Sequence, residues 1–528
     1  MTTKKKGMYG HLLCLLPQVA QGRPLVHPRS WRVWPDVRSI CVVGCGIAFR
    51  GVGMKAMKTE NLISLIFTLL SFLLAGCATR SIFVGPGYDP QICVPLLRHN
   101  ATAAMVWVAR HGNLQDSGLE LKGSVVSLAT ETPRLGTPII LAGPADISGP
   151  VITTAGAGQY FIAWQEGNKL YGKVVRESNL MNVSGGATDL TPGDALHQKH
   201  NYDVAYDPSL KRIIVVYVAA IGSGELRSRI IRLDRLATVP VLTPDPANVI
   251  RTPAGTSTVR LPRLTVPIND AASAVPGIPY LVVWLEGAQA HGSAADVNGV
   301  TVPSSHFLIS NASEFGCERV AACFDRAARN YLVLFDQLDS DTATGTIKAS
   351  TVTLGPGIPA VTPSVALVTR TAGADPARPR ERNSAYKLGE TPDLPDWGGV
   401  HAGPRPCIFA PVMPLASVRS DARLIYRETK NPLTPIGDPR DHFFAENLAV
   451  LPFDATLATR TVTHDSTGPN PILKGGGDAK LGRDGQLLIF YEDFAVPEFV
   501  RGPVAAAPRQ SRLFYPRAPY LWLEWLSW

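Results

Sequence analysis

The stretch Val204-Ala205-Tyr206-Asp207, then a turn, then Val215-Val216-Tyr217, has a counterpart in Ala322-Cys323-Phe324-Asp325, a turn and Val333-Leu334-Phe335. In both, the closing aromatic stands ten residues after the Asp. The same apolar run ending in an aromatic recurs as Met105-Val106-Trp107, Phe161-Ile162-Ala163-Trp164 and Leu281-Val282-Val283-Trp284. It recurs again as Leu424-Ile425-Tyr426 and Leu488-Ile489-Phe490-Tyr491, seven anchors in all. Each run is too short for a helix and rich in β-branched and aromatic residues. Continuous apolar runs of this kind predict strands covered on both faces.

A second, more alternating segment follows most anchors, starting at Leu119, Leu170, Leu226, Thr346 and Phe443. Alternation predicts a half-exposed strand. Proline-bearing links such as Thr191-Pro192, Thr243-Pro244 and Thr362-Pro363 lead to the next unit. The anchors are spaced by 57, 53, 67, 51, 91 and 65 residues. A four-stranded propeller blade takes about 40–50 residues, so these units fit blades with loop insertions. The expected fold is all-β, a β-propeller of seven blades, with six or eight as alternatives because the chain ends are ambiguous. The rival is a set of β-sandwiches; regular anchors without Asn-Gly hairpin signals favour the propeller. The widest gap holds a Pro/Arg/Asp-rich excursion, Asp375 to Trp397, expected as an inserted loop near 372–403. The tail, Leu521-Trp522-Leu523-Glu524-Trp525-Leu526-Ser527-Trp528, is expected to close the ring.

Composition agrees. The 528 residues are 45% hydrophobic and only 18% charged, which excludes a wholly disordered chain. With 47 Gly and 44 Pro, a helical bundle is excluded too. The net charge of +8 misleads until it is located. Residues 1–58 hold ten Lys/Arg against Asp36 alone, so this short segment carries +9 and the remainder carries −1. A near-neutral body argues against a nucleic-acid partner, which needs a clustered basic face.

Residues 54–76 read as an export signal. Lys55 and Lys58 precede an uncharged apolar run, Leu62 to Leu74, and then Leu74-Ala75-Gly76-Cys77. Thirteen apolar residues suit a signal-peptide core and fall short of the roughly 20 that span a bilayer. The segment resembles the lipobox signal of bacterial lipoproteins. That resemblance implies cleavage before Cys77, lipidation of Cys77 and a palmitate-bearing membrane anchor. Ala78 in the next position implies an outer-membrane address in the cell envelope, periplasmic or surface facing. Lipid chains hold a membrane through about 0.8 kcal/mol per buried methylene. Residues 1–53 then read as an extension outside the exported protein, and 77–99 as a linker from the anchor. Cys41-Val-Val-Gly44-Cys45-Gly46 imitates a dinucleotide turn, but Phe49 fills the third glycine position.

Four cysteines follow Cys77, and export permits two disulfides, Cys317–Cys323 and Cys93–Cys407, with buried thiols as the alternative.

Candidate chemistry is sparse. If every anchor is the same strand of its blade, the acids that follow emerge on one rim: Glu166, Glu286, Asp336, Glu428, Glu492 and Asp493. Such a rim could hold a ligand or a hard cation such as Ca²⁺, or be a solvated strand end paired with Lys and Arg. No cofactor is otherwise indicated. His197, His200 and Asp203 lie close in sequence without the helical spacing of a metal motif. Gly475-Gly476-Gly477-Asp478 lacks the following Lys of a P-loop and reads as a turn into the last blade. Two classes of function follow. One is a lipid-anchored, non-catalytic binding or scaffold module for a protein or glycan; the other is a lipid-anchored hydrolase or lyase acting on carbohydrate at the channel.

Overall fold

The computed structural model describes residues 81–95, 102–111, 118–129, 132–156, 158–222, 224–234, 241–268, 274–310, 317, 319–326, 328–338, 344–355, 358–371, 407–412, 422–432, 444–453, 464–465, 474–481, 486–493 and 520–527. All fall in the compact unit Thr79–Trp528. Residues 1–53, the signal 54–76, Cys77 and the insertion near 372–403 lie outside the described residues.

The described strands build seven antiparallel sheets of four or five strands. We number the sheets along the chain by their innermost strands. These are Tyr88–Cys93, Ile147–Gly156, Tyr202–Asp207, Val259–Thr265, Val320–Asp325, Cys407–Val412 and Lys474–Leu481. Every anchor occupies the second strand of its sheet, from Thr102–Arg110 in the first to Gln486–Asp493 in the seventh. Each innermost strand touches the innermost strand of the next sheet, and the seventh touches the first, so the cycle closes. Sheets ranged side by side about an axis form a β-propeller, and the closed cycle excludes stacked sandwiches.

Radial packing accounts for the apolar anchors. In the second strand of the third sheet, Ile213, Val215, Tyr217 and Ala219 pack towards the second sheet with Phe161, Val174 and Leu190. Their neighbours Ile214, Val216 and Val218 pack towards the fourth sheet with Val259, Val282 and Trp284. Successive strand residues point to opposite faces, and here both faces meet a core. Similar layers lie between the first and second sheets, the fourth and fifth, and the seventh and first.

The repeated Asp has a defined task. Asp207 Oδ1 accepts from the Ser209 and Leu210 amides at 2.8 and 3.1 Å, and Asp325 Oδ1 from the Ala328 amide at 3.1 Å. A short polar side chain bonding the backbone just ahead holds the hairpin turn.

Several expectations need correction. The segment 77–99 is not simply a linker: it contains Ser81–Pro86 and Tyr88–Cys93. The first pairs with Tyr520–Ser527, Ser81 opposite Glu524 and Pro86 opposite Tyr520, as outer strand of the seventh sheet. The tail thus supplies the third strand of that sheet, and an N-terminal strand completes it. The run Gly475–Gly477 lies within a strand interrupted by a register shift, not in a turn.

Of the two alternatives for the cysteines, the disulfides do not form: Cys93 and Cys317 carry buried, unoxidised thiols and Cys323 a partly buried one. Cys317 is buried in the layer between the fourth and fifth sheets, while the strand from Val320 carries Cys323 roughly 10 Å onward at about 3.3 Å per residue. Cys93 and Cys407 stand on the innermost strands of the first and sixth sheets, with the seventh between them. Burial pushes the Cys93 thiol up to about 12, so it stays protonated.

Candidate functional site

An innermost strand has a ladder partner on one edge only, so its outer amides need other acceptors. The chain meets this need in a repeated way. Asp478 of the seventh sheet accepts from the Ile92 amide of the first at 3.3 Å. Asp89 of the first accepts from Gly149 of the second at 2.8 Å. Asp203 of the third accepts from Leu264 of the fourth at 2.8 Å, and Asn201 Oδ1 takes the Leu261 amide at 2.8 Å. Every one of these bonds reaches forward to the next sheet. Gly149 and Leu261 lie within register shifts, Ser148/Val151 and Arg260/Arg263, that free their amides from the ladder. Asp203 is half-buried yet ringed by inner strands. Burial raises its carboxyl above the usual range, against the opposing pull of Arg263 and of the Leu264 and Val204 amides.

A second cluster lies on the face that the fourth sheet turns to the third. Trp284 stands opposite His291 on the adjoining strand, and Glu286 two residues on shares their face. His306 enters just before the outer strand Phe307–Leu308. The indole of Trp284 is wholly buried and lies nearly parallel to both imidazoles, 6.1 Å from His291 and 5.7 Å from His306. His291 Nδ1 and His306 Nε2 are 3.3 Å apart. The Ser293 and Ser305 hydroxyls, both buried, meet at 2.9 Å and fix the turn that carries His306.

Glu286 is buried and takes two bonds from Arg251 of the third sheet, Nε to Oε2 at 2.9 Å and Nη2 to Oε1 at 2.8 Å. The Trp284 indole N–H adds a third at 3.3 Å. Burial alone would raise this carboxyl; Arg251 and the indole N–H outweigh it and hold it below the usual range. Burial pulls His291 down to about 4, with Glu286 opposing and His306 and Arg251 assisting. His306 is lowered by burial first and then by Arg251. Both imidazoles are therefore neutral at pH 7. Donor atoms of Glu286, His291 and His306 all lie within 4.8 Å of one another.

The predicted rim acids fare differently. Glu166 is half-buried at its strand end. Glu286 is no rim acid: it turns inward between two sheets and is neutralised by Arg251. Asp336, Glu428, Glu492 and Asp493 fall on second strands as expected, but their side chains lie outside the described residues. His197, His200 and Asp203 do not assemble into a site. The His197 amide donates to the Val218 carbonyl, His200 stands 4.0 Å from Asp89, and Asp203 serves Leu264.

His291, His306 and Arg251 were not singled out by sequence reasoning, and Trp284 was read only as a strand anchor, although a signal existed. Trp164-Gln-Glu166-Gly167 leads to Tyr171-Gly172, and Trp284-Leu-Glu286-Gly287 leads to His291-Gly292 with the same spacing. In each, the residue opposite the Trp is a ring stacked on it, Tyr171 at 6.3 Å and His291 at 6.1 Å.

No protein-family profile matches the chain, and no curated protein sequence matches it. Among solved structures, the chain is similar to the intramolecular trans-sialidase from Ruminococcus gnavus, with 9% identity over 79% of this chain and 91% of that one and a TM-score of 0.37. It is similar to the Dos1 propeller, with 10% identity, 78% and 91% coverage and a TM-score of 0.40. It is similar to the NanB sialidase from Streptococcus pneumoniae, with 8% identity, 84% and 70% coverage and a TM-score of 0.37.

Proposed function

We propose that the protein is an exported lipoprotein, anchored in the outer membrane through Cys77, whose seven sheets are seven blades of a non-catalytic binding or scaffold module for a protein or glycan. One observation carries this reading. Asp478, Asp89 and Asp203 on the innermost strands each accept a backbone amide of the next sheet, so these acids hold the frame together. A rigid ring with variable loops suits recognition. The anchor reading is supported by the uncharged apolar run Leu62 to Leu74 and the Leu74-Ala75-Gly76-Cys77 that ends it. Among the described residues no helix is long and apolar enough to cross a membrane.

A second reading, a hydrolase or lyase acting on carbohydrate, is favoured by Asp203. Burial raises its carboxyl above the usual range, and a general acid needs a carboxyl that keeps its proton to higher pH than usual.

The test begins with the mass of the mature N-terminus. A lipidated Cys77 is expected, and an intact segment 1–76 overturns the anchor. Partners are then captured from membranes solubilised under mild conditions, in parallel with a panel of glycans. Specific co-purification without cleavage supports the binding module. Cleavage of a glycan that is lost in Asp203→Asn establishes the enzyme instead.

A further inference from the structure

We propose that His291 Nδ1, His306 Nε2 and a carboxylate oxygen of Glu286 bind one divalent transition-metal ion of the Zn²⁺ class. The first ground is spacing. Two nitrogens on a tetrahedral ion at about 2.0–2.1 Å are separated by about 3.3–3.4 Å. The two imidazole nitrogens already stand 3.3 Å apart, with the Glu286 oxygen within 4.8 Å of both. The rings lie 9° from parallel with these nitrogens facing each other, so each ring turns by about 35° to aim its lone pair at a common tetrahedral centre.

The second ground is preorganisation. The Trp284 indole supports both rings, and Ser305, bonded to Ser293 and to the Ala294 carbonyl at 3.1 Å, fixes the backbone next to His306. Arg251 and the indole N–H orient the carboxylate from behind. Such outer partners commonly aim metal ligands. The carboxylate is not used up. Each oxygen offers two lone-pair sites, and Oε1 takes a single bond, from Arg251.

The third ground is that the frame does not require these histidines. In the second sheet the same positions carry Tyr171 opposite Trp164, and Lys173 where the fourth sheet has Ser293. A tyrosine thus fills the stacking role of His291 without offering a nitrogen ligand. Two nitrogens and one oxygen suit Zn²⁺, Cu²⁺ or Ni²⁺ and disfavour Ca²⁺ and Mg²⁺, which take oxygen ligands. Three protein ligands leave a fourth position for water, and exposed His306 opens the site to solution.

The inference is independent of the anchor and of the binding partner. To test it, the purified full-length protein is stripped with chelator and titrated with Zn²⁺ by calorimetry and with Co²⁺ by visible absorption. One equivalent of each is expected, with the intense ligand-field bands of a tetrahedral Co²⁺ site. His306→Ala, at an exposed position, should keep its circular dichroism and melting temperature while Zn²⁺ affinity falls at least about tenfold. His291→Gln should lose affinity in the same way, and His111→Ala on the first sheet should bind as the parent does. Absence of Zn²⁺ binding by the parent, or parental affinity in both His306→Ala and His291→Gln, overturns the proposal.

Discussion

Arg251 and Glu286 join neighbouring sheets side chain to side chain, Nε meeting Oε2 at 2.9 Å and Nη2 meeting Oε1 at 2.8 Å. The carboxylate is buried and the guanidinium partly so. Removing one partner leaves an uncompensated charge between two sheets, which costs far more than the pair contributes. Arg251→Met and Glu286→Gln should each lower unfolding free energy by about 2–4 kcal/mol in urea titrations run with chelator present. The double variant should recover much of the loss. Additive losses in the double variant would show that the two side chains are not coupled.

Glycines opposite the anchors make a second expectation. Gly172 and Gly292 each follow the residue that faces the anchor Trp. An added Cβ would stand 2.6 Å from the Phe161 ring at Gly172 and 2.6 Å from the Phe307 ring at Gly292. The constraint is steric, since neither position needs a left-handed backbone. Overpacking of this kind costs about 1–3 kcal/mol. Gly292→Ala and Gly172→Ala should lower the melting temperature, while Gly186→Ala, with open space around it, should not. Equal melting temperatures for all three would refute the close-packed column.

These two sites show how far the sequence could be read. Trp164 and Trp284 were legible as strand anchors because a strand covered on both faces is apolar at every position. The forward bonds were not legible, because Asp89 and Gly149 are sixty residues apart and meet only when two sheets stand side by side. His291 lies on a strand and His306 fifteen residues on, just before the adjoining one, and Arg251 comes from another sheet. Sequence spacing locates the end of a strand but not the face that a neighbouring sheet covers. That is why Glu286 read as a solvated rim acid and proved to be a buried ion-pair partner. The cysteines failed for the same reason, since bridging depends on which strands are neighbours.

Lys173 gives an expectation in alkaline solution. Its ammonium is buried, donates to the Leu141 carbonyl and lies 5.9 Å over the Trp164 ring. Burial pulls its pKa down from 10.5 to about 8. Between those values the unfolded chain binds more protons at this residue than the folded one, so stability rises with pH through the window. The parent should gain on the order of 1–2 kcal/mol relative to Lys173→Met between pH 8 and pH 10.5. Parallel stability–pH curves for the two proteins would remove the lysine as their cause.

Asp203 separates two roles of one carboxyl. It accepts the Leu264 amide at 2.8 Å and the Val204 amide at 2.9 Å, and burial raises its pKa. Asp203→Ala strands two amides and should cost about 1–3 kcal/mol at any pH. Asp203→Asn removes the charge and keeps an oxygen for only one of the two amides, since Leu264 is accepted by Oδ2 and Val204 by Oδ1. A carboxyl whose folded pKa lies above its unfolded value stabilises fully at low pH and loses that contribution as pH rises through the folded pKa. The Asn variant should therefore gain on the parent from about pH 4 upward, and at pH 7 it should cost less than Asp203→Ala because one amide keeps its acceptor. Urea unfolding at pH 4.5 and pH 7 decides it. If Asp203→Asn is as damaging as Asp203→Ala at pH 7, one retained acceptor is not enough, and the whole carboxylate, both oxygens together with the pull of Arg263, is what the ring needs.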